Sequence, residues 1–272
     1  MSTTAKQFPI WAFFLLATNG ILMLAVILLI LRQQGLTVFS SNTTPVPANQ
    51  APSATPELGP RHQLSYQKWV DILKQEAQIA AEQRPPQLSI LAGDSLSLWF
   101  PAELLPKDRN WLNQAISGET SNGLFKRLNL FDKTQPETIF VMIGINDLIR
   151  GVNDQVILDN QRQMMNYLRK SHPKAKIFIQ SILPHGAESA TWEGREKLLA
   201  IPNSRIQQLN QQLKSIAAKE RVEYLDLYSL FANQQGNLRP ELTTDGLHIN
   251  PAGYLVWRTA LQIYQKGIGG TN

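Results

Sequence analysis

The feature that most restricts the fold of this chain is a repeated alternation of two patterns. Short runs of apolar, often β-branched residues recur at 88–92, 138–143, 176–182 and 222–227, with a weaker one at 110–116; each has the length and composition of a strand. Longer stretches with helical spacing separate them. Leu124, Leu128 and Phe131 share one period, Ile157, Met164, Met165 and Leu168 another, and Ile206, Leu209, Leu213 and Ile216 a third. A helix over 64–83 precedes the series and is stopped by Pro85-Pro86, while Pro251 opens a last one. Asn203 is placed to cap the helix that follows it. Strand and helix alternating in this way imply an α/β fold, a mostly parallel sheet with helices on both faces. Sites on such sheets lie beyond the carboxyl ends of the strands.

The alternation does not extend over the whole of the 272 residues. Residues 8–31 are almost wholly apolar and carry no charge. That is about the 20 residues a helix needs to cross a bilayer, and Trp11 suits its interface. The run is longer than the core of a cleaved signal peptide, and no Ala-x-Ala follows it, so it reads as one uncleaved transmembrane signal anchor. The flanking charges, Lys6 and Arg32, nearly balance; the short tail before the span favours a catalytic domain outside the cytoplasm. Residues 40–60 hold Pro45, Pro47, Pro52, Pro56 and Pro60 among small polar residues, the composition of an extended spacer without a face to bury. The expected division is an anchor over 1–36, a linker over 37–61 and a single domain over 62–272.

Composition removes some classes of function. There is no cysteine, which excludes disulfides, thiolate metal sites and a cysteine nucleophile. The net charge of +5 is not gathered into a Lys/Arg stripe, so nucleic acid is not an expected partner; the surplus fits a domain near an anionic membrane.

Four short segments carry the chemistry. Gly93-Asp94-Ser95 ends the first apolar run. Ile116-Ser117-Gly118-Glu119 follows the second, Gly144-Ile145-Asn146-Asp147 follows the third, and Asp245-Gly246-Leu247-His248 lies near the carboxyl terminus. A serine hydroxyl is a weak nucleophile and needs a base, which in turn needs an orienting partner. Ser95 is the candidate nucleophile, His248 the base and Asp245 its partner. The charge that develops on the acyl oxygen needs aimed donors: the Ser95 and Gly118 backbone N–H groups and the Asn146 side-chain amide. Of the other histidines, His172 stands at a helix end, where a dipole role suffices. His185, just past a strand, is a candidate substrate contact. Residues 184–202 form a long connection that includes Trp192, a second candidate contact. The connection reads equally as a lid, an acyl-chain wall or an ordinary surface excursion.

In these segments the chain resembles the SGNH hydrolase superfamily, the GDSL-type esterases and lipases, with Ser95, Gly118, Asn146 and His248 standing where that family's four name-giving residues stand. The stretch 113–120 looks most like the branch related to platelet-activating-factor acetylhydrolase. The resemblance implies a flavodoxin-like three-layer α/β/α sandwich, a Ser95–His248–Asp245 triad, no cofactor and no metal. It also implies hydrolysis of small acyl esters, thioesters, lipids or acetylated sugars. Two small departures are Leu96-Ser97 after the nucleophile and Glu119 where Asp is frequent. The expected function is a membrane-anchored serine esterase working through a covalent acyl-enzyme. The alternatives are an envelope carbohydrate O-acetyl esterase or acetyltransferase, and a non-catalytic binding module that has kept the fold.

Overall fold

The computed structural model describes residues 64–267. The anchor expected over 1–36 and the linker expected over 37–61 both fall in residues 1–63, outside the described residues. Among the described residues no helix is long and apolar enough to cross a membrane.

Five strands form one parallel sheet: β1 (Leu88–Gly93), β2 (Asn110–Ala115), β3 (Thr138–Met142), β4 (Lys176–Gln180) and β5 (Glu223–Leu225), in the order β2-β1-β3-β4-β5. This is the flavodoxin-like order, in which the chain turns from one side of β1 to the other. The point of reversal lies between β1 and β3. Ser95 follows β1 and Asn146 follows β3, so the two candidate segments flank it.

Both faces of the sheet are covered because both sets of alternate side chains are apolar. Leu88, Ile90 and Ala92 of β1 and Ile139 and Val141 of β3 belong to one core. Against them pack α1 (Tyr66–Gln83), α3 (Ser121–Arg127), α5 (Asp154–Ser171) and α7 (Asn203–Lys219). Leu91, Phe140, Met142 and Phe178 point the other way, into a second core with Leu96 of α2 (Ser95–Leu98) and Tyr254, Trp257 and Leu261 of α9 (Pro251–Gly267). The result is the expected α/β/α layering. Trp257 is fully buried and donates its indole N–H to Gln180 Oε1 at 2.6 Å, which ties α9 to the end of β4.

Three local expectations change. The helix expected on the period of Leu124, Leu128 and Phe131 breaks after Arg127 into a 3₁₀ turn, Leu128–Phe131. Asn203 does not cap α7: Pro202 holds the cap position, and the Asn203 side chain bonds the backbone of His185 instead. His172 is buried and stacked on Phe131. Burial lowers its pKa, opposed by nearby Asp132, which favours a neutral ring over a cation on the helix dipole. Four short helices had no clear period: α2, α4 (Ile145–Ile149), α6 (Arg195–Leu199) and α8 (Tyr228–Phe231).

Candidate active site

Ser95 is the first residue of α2, directly after β1. Asp94 makes that abrupt strand-to-helix change possible, since its Oδ1 accepts the Leu96 N–H at 3.1 Å and caps the helix. The carboxyl is 1% exposed and its Oδ2 has no partner. Burial pushes its pKa up to about 7, and the charges of Asp147 and Glu119 add to the rise. The sequence reading gave Asp94 no role.

Gly118 lies in a turn closed by Glu119 N–H donating to Ile116 O at 3.2 Å. Its φ of +73° is left-handed, a conformation that favours a residue without Cβ. Arg150 Nη2 donates to the Gly118 carbonyl at 2.7 Å. Behind the turn, buried Arg127 donates to Glu119 Oε2 at 2.9 Å and to the Gln114 carbonyl at 2.7 Å, so this turn is fastened to the end of β2.

Asn146 stands in the first turn of α4. Its Nδ2 is buried and has no hydrogen-bond partner, an uncommon state for a buried donor. Its neighbour Asp147 accepts the Ser121 N–H at 2.8 Å and the Ser121 hydroxyl at 2.6 Å. Burial raises the Asp147 pKa and these two bonds oppose the rise. Asp147 thereby ties the start of α4 to the start of α3. In the sequence Asp147 stands only as the last residue of the Gly144–Asp147 segment, with no role of its own.

Ser95, Gly118 and Asn146 therefore sit past the carboxyl ends of three adjacent strands, with β1 in the middle. Gly93 is in register with Ala115 on one side and Met142 on the other, so the rim is nearly level across all three.

Asp245 and His248 come from a loop. Asp245 Oδ1 accepts the Leu247 and His248 backbone N–H groups at 2.9 and 2.7 Å. Its Oδ2 lies 2.8 Å from His248 Nδ1. A carboxylate only accepts, so the ring proton is on Nδ1 and Nε2 keeps its lone pair. Burial pushes the Asp245 carboxyl up, but the bonds from the His248 ring, the His248 amide and the Leu247 amide outweigh it and hold the group below its ordinary value. Among the described residues no hydrogen bond joins Ser95 Oγ to His248 Nε2; an aromatic contact made by Trp99 links the two segments. This residue follows α2, donates its N–H to the Ser95 carbonyl at 3.0 Å, and places its ring centroid 4.5 Å from that of His248 at 44°. Trp99 was missed in the sequence, although its spacing of four from Ser95 is one helical turn.

The 184–202 connection braces this loop. Thr191 and Trp192 N–H groups both donate to the Asp245 carbonyl, at 2.8 and 2.9 Å, and Gly186 N–H donates to the Gly246 carbonyl at 2.6 Å. Gly246 has φ +85°, and a Cβ on it would stand 2.6 Å from Ala190. The approach of brace to loop needs a glycine there. The Trp192 ring is partly buried and packs against the core. His185 is 2% exposed. Its Nδ1 accepts the Ala187 N–H at 3.0 Å and its Nε2 meets the Ile201 carbonyl at 2.6 Å, so both ring nitrogens are spent inside the protein and neither is free for a substrate. Burial lowers its pKa, against the Ile201 bond.

The family model of the GDSL-like lipase/acylhydrolase family matches residues 87–256. The N-acylneuraminate cytidylyltransferase of Streptococcus agalactiae serotype III is 27% identical over 175 residues, 64% of this chain and 38% of that enzyme. The chain thus spans under half the length of that relative. The arylesterase of Vibrio mimicus is 35% identical over 107 residues, 34% of this chain and 53% of the esterase. A solved structure from Streptococcus pneumonia, described as a platelet activating factor, superposes with a TM-score of 0.65 at 25% identity, covering 73% of this chain and 93% of the other.

Proposed function

Because this chain belongs to the GDSL-like lipase/acylhydrolase family of ester-hydrolysing enzymes, we propose that it cleaves acyl or acetyl esters with Ser95 as nucleophile, His248 as base and Asp245 as the base's partner. The observation that carries the reading is the Asp245–His248 contact of 2.8 Å. It leaves Nε2 able to take a proton, on a ring packed against the residue one helical turn beyond Ser95. Catalytic hydrogen bonds are often long before substrate binds, and the bond from Ser95 Oγ to His248 Nε2 is expected to close in the substrate complex.

In the first step Ser95 Oγ bonds to the acyl carbon and its proton passes to His248 Nε2. The carbonyl π pair moves onto oxygen. Asp245, ionised at neutral pH, offsets the positive imidazolium. The negative oxygen is received by the Ser95 and Gly118 N–H groups and by Asn146 Nδ2, whose lack of a partner among the described residues supports this role. The tetrahedral species collapses, the carbon–oxygen bond to the alcohol breaks, and the leaving oxygen takes the proton from His248. Water then repeats the sequence on the acyl-enzyme and releases the acid. Membrane attachment through residues 8–31 and an extracytoplasmic catalytic domain complete the proposal; the length and lack of charge of that run support them.

A fluorophosphonate probe tests the core of the reading. The full-length protein is expected to be labelled on Ser95 and to hydrolyse p-nitrophenyl acetate. Ser95→Ala is expected to lose both label and roughly a thousandfold or more of the rate while its circular dichroism is unchanged. Undiminished hydrolysis by folded Ser95→Ala would overturn it.

A further inference from the structure

Trp99 is 48% exposed, whereas Trp257 is wholly inside. An indole half in solvent contributes little to the core. Its position is nevertheless fixed: the backbone is tied to the Ser95 carbonyl at 3.0 Å, and the ring lies against the His248 imidazole. The opposite constraint on that imidazole is Asp245, bonded to Nδ1. One edge of the base is thus held by a carboxylate, and its ring lies beside an aromatic surface that is partly open to solvent.

In the proposed reaction, on which this inference rests, His248 gives its proton to the leaving oxygen. That transfer requires the oxygen within about 3 Å of Nε2. The alcohol half of the ester must then lie beside the imidazole, and Trp99 is the imidazole's aromatic neighbour. Aromatic faces favour flat partners, either a second π-system or a ring that presents aligned C–H bonds, over flexible open chains.

We propose that Trp99 is a specificity-determining residue, whose exposed indole stacks on the alcohol portion of the substrate and selects esters of ring-bearing alcohols, aryl or pyranose, over esters of open-chain alcohols.

Three acetates test this with the leaving-group chemistry held nearly constant: ethyl acetate, benzyl acetate and a methyl 6-O-acetylglucopyranoside, each an ester of a primary alcohol. The quantity read is kcat/KM on a ring-bearing acetate divided by that on ethyl acetate, for the full-length protein and for Trp99→Phe and Trp99→Leu. Trp99→Leu keeps apolar bulk and loses the π face. It is expected to lower the ratio about 3- to 10-fold, chiefly through KM, and Trp99→Phe is expected to retain most of the ratio for benzyl acetate. A fall confined to benzyl acetate assigns aryl alcohols, and a fall confined to the glycoside assigns sugars; either supports the proposal. Equal losses on all three acetates, or an unchanged ratio in Trp99→Leu, would overturn it. Ser95→Ala run in parallel separates the two claims: if that variant keeps the wild-type rate, the site reading fails whatever the Trp99 ratios show.

Discussion

The β1–α2 corner and the Asp245–His248 loop are in contact where Trp99 lies against His248, but they are held by different means. The corner is an extension of the sheet. Gly93 pairs with a strand on each side, Asp94 caps the helix that follows, and the residues involved are close in sequence. The loop has no strand of the sheet behind it. Its own bracing is the antiparallel bridge from Thr243 to Ile249, the Thr243 hydroxyl and the Thr244 N–H donating to the His248 carbonyl, the Gly246 N–H donating to Thr243 Oγ1, and the contacts inside Asp-x-x-His. Further support comes from about fifty to sixty residues earlier, through the amides of Gly186, Thr191 and Trp192. A nucleophile and acceptor site built on strand ends inherits the rigidity of the sheet. A base carried by a loop needs a second segment to hold it, and here that segment is the long connection after β4.

This contrast can be broken or sharpened by substitution. The largest effects are expected at the reacting groups themselves. His248→Ala should lower kcat by roughly a thousandfold or more, and Asn146→Ala by about a hundred- to a thousandfold, with thermal unfolding little changed in the first. Steady-state kinetics on p-nitrophenyl acetate reads both. A His248→Ala variant within tenfold of wild type would remove the loop from the chemistry altogether.

A smaller effect is expected in the brace. His185→Ala leaves the Ala187 N–H and the Ile201 carbonyl unpaired in a buried place. It should cost about 1–3 kcal/mol in chemical denaturation, with a fall in kcat smaller than that of Asn146→Ala. The sign of the pH dependence follows from the lowered pKa of His185. The folded state resists protonation there, so this contribution is intact above the unfolded value of about 6.5 and is lost as pH falls through the lower folded value. If His185→Ala unfolds with the same midpoint as wild type, the 184–202 segment is not the support it is taken for.

A last effect, read in stability alone, is expected at Asp94, on the sheet-borne side. Its folded pKa of about 7 stands above the unfolded value of about 3.9. Its contribution is therefore complete below the unfolded value and is lost as pH rises through 7. Asp94→Asn keeps an oxygen for the Leu96 N–H and removes the titration. The variant should lose less stability than wild type between pH 5 and pH 8. Parallel stability curves for the two proteins would place the titration elsewhere.

What the sequence determined by itself was the part of the molecule governed by local pattern. Apolar runs with side chains alternating to opposite sides specify buried strands, and the 3.6-residue period of residues such as Ile206, Leu209 and Leu213 specifies helices that cover them. The layered sheet, its parallel strands and the position of Ser95, Gly118 and Asn146 at strand ends all follow from that. The Asp-x-x-His pair was legible too, because three residues suffice to turn a carboxylate back onto an imidazole. Tertiary structure alone decided the remainder. Burial is a property of the folded whole, so the sequence could not show that His185 spends both ring nitrogens inside the protein, or that Asn203 serves a neighbouring loop instead of its own helix. Nor could it show that the Trp99 ring comes to rest against a histidine about 150 residues away. Hydrogen bonds between segments far apart in the chain have no period to read, and these bonds are what hold the base in place.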